Sequence, residues 1–132
     1  MGFLAVVAAA VATFVFGALY YMALSKPWMA ASGVPVGDDG KPLNSSNPMP
    51  YVVSLLMILL VAGMMRHTFA LSGIDTLGKG LVSGLGVGAF FISPWIFINV
   101  GYSARPWSLA LIDSGYATIG CGIMGAVLML MA

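Results

Sequence analysis

Four apolar stretches, each near the roughly 20 residues that a helix needs to cross a bilayer, take up most of this 132-residue chain. Such a chain cannot clothe itself in water-facing side chains. Only 7% of its residues are charged and 61% are hydrophobic, whereas an ordinary soluble domain carries about 25% charged residues. Transmembrane barrel strands would need alternation over about ten residues, and these runs are too long and too continuous for it. The reading is an all-α membrane protein. It is a four-transmembrane-helix bundle with antiparallel sequential helices, a single membrane domain over residues 1–132. Helices are expected at about 3–24, 50–69, 77–100 and 107–131, with one polar loop at 30–49.

The first stretch lacks a basic leader and a persuasive cleavage site, so it reads as a retained helix. Ala5, Ala8, Ala9 and Ala12 give it a small-residue face suited to close helix contact. Tyr20, Tyr21 and Trp28 suit the membrane interface, and Pro27 stops the helix or begins a second short element. In the loop, residues 36–42 and 44–48 carry strong turn signals. Asp38 and Asp39 lack the spacing of a calcium hand. Arg66 and His67 lie near the far end of the second helix. Asp75 and Thr76 resemble a cap for the third, with Lys79 one turn on.

In the third helix Gly80, Gly84 and Gly88 stand four apart, forming a ridge that admits a second helix closely. The ridge does not say whether that helix belongs to the same chain. Gly86 lies off that face, which favours close packing on a second side. Pro94 should bend the upper part and free a carbonyl that wants a partner in lipid. The fourth helix holds Gly115, Gly120, Gly122 and Gly125, whose expected role is helix packing.

Composition also excludes functions. The net charge is +1 with no basic patch, so a nucleic-acid partner has no electrostatic footprint. Cys121 is the only cysteine and His67 the only histidine. An intrachain disulfide is therefore ruled out, and no metal or other cofactor is expected. An enzyme would need a nucleophile with a base, or a metal set. His67 belongs to the membrane face opposite Asp113, so no enzyme is expected.

The one costly side chain is Asp113, two turns into the fourth helix and roughly 10 Å below its start. A lone acid near mid-bilayer costs about 2.5–3.5 kcal/mol on an insertion scale, less near the edge. The topology brings Tyr20, Tyr21, Lys26, Trp28, Tyr51, Asn99, Tyr102 and Arg105 to the same membrane face, and Tyr116 shares the helix face of Asp113. Arg105 or Lys26 can snorkel down to pair with the acid. A tyrosine or Asn99 can donate a hydrogen bond. Asp113 is then either a structural acid that locks helix four to a neighbour or the wall of a small cavity that binds a proton, a cation or a headgroup.

Three segments also carry a likeness. They are Gly17-Ala18-Leu19-Tyr20-Tyr21 with Lys26-Pro27-Trp28, the run from Gly80 through Phe90, Phe91 and Pro94, and Arg105-Pro106 followed by Asp113 to Tyr116 and Gly120 to Ala126. Through them the chain resembles a family of small bacterial integral membrane proteins, domain of unknown function 1761. The resemblance implies four membrane helices in a bacterial cytoplasmic membrane, and it implies no activity, substrate or cofactor.

With four spans both termini share one side. Arg66 and Lys79 stand against Lys26, Lys41 and Arg105, so the positive-inside rule barely discriminates. Export of the longest polar loop would put the termini in the cytoplasm. The leading functional expectation is a small non-enzymatic membrane protein, self-associating as a homo-oligomer or docking to a larger membrane complex through its glycine faces. The alternative is a small transporter, or an ion- or lipid-binding protein, that uses the polar site around Asp113. In either case membrane lipids are the other partners.

Overall fold

The computed structural model describes residues 2–132; Met1 lies outside them. Among the described residues the chain is almost wholly helical, with six α-helices. Helix α1 is Gly2–Ala23, α2 is Ser25–Ser32, α3 is Met49–Ser72, α4 is Leu77–Val87, α5 is Ser93–Tyr102 and α6 is Trp107–Leu130. A π-helical turn, Gly88–Ile92, joins α4 to α5, making one continuous span from Leu77 to Tyr102. Together with α1, α3 and α6 this gives four helices long and apolar enough to cross a membrane. The protein is an integral membrane helical bundle.

Local chemistry sets the ends. Helix α1 ends at Ala23, four residues before Pro27, whose missing N–H cannot serve the Ala23 carbonyl, and a second short helix begins there. Pro27 sits in the first turn of this short helix α2, where a missing N–H costs nothing, so the polar loop begins later than its composition suggests. Both α2 and α3 end on a glycine with positive φ, Gly33 at 70° and Gly73 at 69°, a conformation that disfavours other residues. The loop turns through a contact between Val36 and Pro42, with the Gly37 N–H donating to the Lys41 carbonyl at 2.8 Å. Thr76 caps α4 by accepting from the Lys79 N–H at 3.2 Å.

The helices run alternately up and down, but they do not pack in chain order. Helix α6 is the centre, with α4–α5 on one side and α1 on another; α3 leans mainly on α1. Helix α3 makes no substantial contact with α4 or α5, its successors in the chain. The bundle is therefore open between the second and third spans.

The seam between α4 and α6 is built from absent side chains. A Cβ on Gly84 would strike the Cys121 carbonyl, and one on Gly88 would strike the Ala117 carbonyl. On the opposing helix, a Cβ on Gly125 would strike the Gly80 carbonyl. The two backbones touch along three turns. In lipid, where association rests on van der Waals packing and close approach, this seam is the strongest helix contact in the molecule. The ridge that suggested a second subunit is thus covered by α6 of the same chain. Gly86 meets nothing within 4 Å, so the second close-packed side expected of it is open.

The π turn keeps both halves of the third span on α6. The buried positions of this span are Gly80, Gly84, Gly88, Ser93 and Val100. The step from 88 to 93 is five residues, one more than the α-helical step before it. The Ser93 hydroxyl donates to the Gly88 carbonyl at 2.6 Å and lies 3.4 Å from the Thr118 hydroxyl on α6. Pro94 follows directly, in the first turn of α5, where a missing N–H is best tolerated.

Candidate functional site

Helix α1 presents its polar end to α6. The Thr13 hydroxyl donates to the Ala9 carbonyl at 2.9 Å and lies 3.3 Å from the Gly120 carbonyl, so one proton is shared across the helix contact. One turn on, Gly17 leaves room for the Tyr116 ring. Next, the Tyr20 hydroxyl donates to the Ile112 carbonyl at 2.6 Å and occupies the space that a side chain on Gly115 would need. At the end of α1 the Tyr21 hydroxyl donates to Asp113 Oδ1 at 2.6 Å. A hydrogen bond this short to a carboxylate is of the stronger, charge-assisted kind when the acid is ionised.

Aromatic rings surround this pair. Tyr21 stands edge-on to Tyr20, Tyr116 and Trp28, with ring centres 5.2, 5.4 and 6.0 Å away. Phe16 adds a ring against Tyr116 and another contact with Tyr20. Trp28 comes from α2, which folds the interfacial segment back over the end of the bundle, and its side chain also approaches the carboxylate.

The gap between α3 and α5 runs into this cluster. It is a half-open groove of about 320 Å³. Ile58 and Val61 of α3 face Ile92 and Ile96 across it. Its floor is α6, from Asp113 through Tyr116, Ala117 and Cys121 to Met124, with Thr13 and Tyr21 contributed by α1. The walls are aliphatic, and the acid lies at one end with Tyr21. The Cys121 thiol is buried in the floor. Among the described residues no group of three histidine, cysteine or acidic side chains is placed to hold a metal ion.

A family model described as a protein of unknown function, DUF1761, matches residues 4–129. The chain belongs to that family. No curated protein and no solved structure matches it.

The remaining candidate residues lie elsewhere. Lys26, Asn99, Tyr102 and Arg105 are exposed, and among the described residues the only salt bridge is Lys79–Asp75. Arg105 does not reach down to Asp113. Its guanidinium lies against Gly33 at the C-terminus of α2, where exposed helix carbonyls favour a cation. Tyr102 is 92% exposed, on the outer side of α5. At the other end of the molecule the Arg66 guanidinium packs on Gly2. That contact places the end of α3, and His67 with it, roughly 28 Å along α1 from the Tyr21–Asp113 pair.

Sequence reasoning missed Thr13 and the groove-facing isoleucines. Thr13 had a signal, since a threonine in a span can hydrogen-bond to a neighbouring helix. The isoleucines had none, because in lipid an aliphatic residue on the outside looks the same as one facing a groove.

Proposed function

We propose that this protein is a non-enzymatic binding protein of the bacterial cytoplasmic membrane that takes an amphiphilic ligand into the groove between α3 and α5. The polar end of the ligand meets Asp113 and its apolar part lies along the isoleucine walls. One observation carries this reading. The bundle is left open where two consecutive spans could have packed, and the opening leads to the only acid within the spans. Concave, mainly apolar sites with a few convergent polar groups are the usual form of a small-molecule site. Self-association through Gly80, Gly84 and Gly88 draws no support from the packing, because α6 already covers that face.

Native mass spectrometry of the protein released from its membrane tests the reading. A retained small molecule is expected, and it should be lost in Val61→Trp, which fills the groove. A wild-type protein that carries no adduct and takes up none from lipid vesicles would count against the site. We also place both termini in the cytoplasm, with the polar loop outside. Reporters at Ala132 and within the loop at Gly40 should then give opposite readings, and matching readings would refute the arrangement.

A further inference from the structure

The groove is acidic at one end and carries no cation. The other three acids, Asp38, Asp39 and Asp75, lie in loops. All five basic residues are accounted for away from Asp113. Lys79 pairs with Asp75, Arg66 lies on Gly2 and Arg105 on Gly33; Lys26 and Lys41 are exposed on α2 and in the loop. Tyr21 donates to Oδ1 of Asp113 and the Trp28 side chain approaches the same carboxylate, both of them neutral groups. A carboxylate half-buried among apolar helices is costly unless something positive comes to it.

Resting on the binding reading above, we infer that the ligand is a small organic ammonium compound with a single apolar body. Its ammonium group meets Asp113 from the groove, and its hydrocarbon lies between Ile58 and Val61 on one side and Ile92 and Ile96 on the other. Three features argue for an organic cation. A metal ion such as calcium gathers six or more oxygen ligands, and here one carboxylate and a phenol are on offer. The Tyr21 and Tyr116 rings line the same end of the groove, and aromatic rings attract ammonium groups. The walls are aliphatic over the rest of the length, which a hydrated inorganic ion would not use.

Size narrows the class. The groove of about 320 Å³ is about twice the ~150 Å³ apolar cavity that holds one benzene ring. It fits on the order of a dozen non-hydrogen atoms by that measure. A phospholipid with two acyl chains is larger than the groove, which would enclose only part of it. An aryl-alkyl or short alkyl amine fits.

The test uses the full chain in phosphatidylcholine nanodiscs, with empty discs as the blank. Phenylbutylammonium, phenylbutanol and phenylbutanoate are titrated in by calorimetry. The three share a shape and differ in charge. The ammonium compound is expected to bind about tenfold tighter than the alcohol or better, with the acid weakest. In Asp113→Asn the ammonium should fall to within about threefold of the alcohol, while the alcohol keeps its affinity. The amide oxygen still accepts from Tyr21, so the helix contact survives in that variant; Val61→Trp should weaken ammonium and alcohol together. Equal binding of ammonium and alcohol in the wild type overturns the charge inference and leaves the groove standing as a site. An ammonium preference that persists in Asp113→Asn overturns the role of Asp113. Heat no greater than that of empty discs for all three compounds overturns both the inference and the binding reading.

Discussion

Helix α6 has two flanks, and the molecule treats them in opposite ways. Against α4 it presents glycine to glycine, so closely that a methyl group has no room. Between α3 and α5 it presents Ala117, Cys121 and Met124 to an open groove. Both flanks are apolar and both lie in the membrane. The difference is the size of the side chains and whether a partner helix covers them. Without a hydrophobic drive between helices in lipid, a flank closes only if it is built to fit closely, and a flank without that fit is free to take a ligand. The contrast separates a contact that holds the fold from a flank that the fold leaves uncovered.

The largest effect should come from breaking the closed flank. Gly84→Ala places a Cβ against the Cys121 carbonyl, which is backbone and cannot swing aside. Overpacking of this kind costs about 3 kcal/mol. The variant should lose thermal stability heavily in detergent, and an unchanged melting temperature would show that the seam is looser than described. On the open flank, Tyr21→Phe removes the donor to Asp113 Oδ1 and leaves the carboxyl without that hydrogen bond. The expected loss is about 1.5 kcal/mol, at the low end for a hydrogen bond to a charged group because the pair is half-buried. A urea titration that finds no loss would mean that water or lipid replaces the phenol.

Gly86→Ala sharpens the comparison, because it lies two residues from Gly84 and meets nothing. It should raise stability by about 0.5–1 kcal/mol, the gain of alanine over glycine inside a helix. Destabilisation there would show that a second face of α4 is covered after all. The smallest effect belongs to Lys79→Ala. Its partner Asp75 is 74% exposed, so the loss should stay below about 0.5 kcal/mol; a larger loss would give the pair a place in the fold that its exposure does not suggest.

The number and type of the spans are legible from the chain, because twenty apolar residues have one stable arrangement in lipid. The order of packing is not. In water, a helix declares its inner face by where its polar residues are missing. In lipid, Leu60 and Phe90 are exposed and Leu128 is buried, yet nothing in their chemistry separates them. Only the missing side chains speak, and even the Gly80 ridge leaves its partner helix unnamed. At the site, Asp113 and its aromatic neighbours follow from topology. That Tyr21 and not Arg105 meets the acid follows from α2. This short helix turns back over the bundle and draws Arg105 to its own C-terminal end at Gly33.

The five-residue step from Gly88 to Ser93 puts the two halves of the third span out of phase. One added residue corresponds to about 100° of helix rotation. A straight α-helix would have carried the glycine stripe onward through 92 and 96 toward α6. Instead these two isoleucines are turned into the groove, while Ser93 and Val100 take over the contact. The opening in the bundle is therefore written in the chain as a count: the one residue absorbed by the π turn keeps Ser93 on α6 and Ile96 in the wall, whereas winding the same residues as a regular α-helix would turn Ile92 and Ile96 onto α6, with no change in composition or hydropathy to announce it.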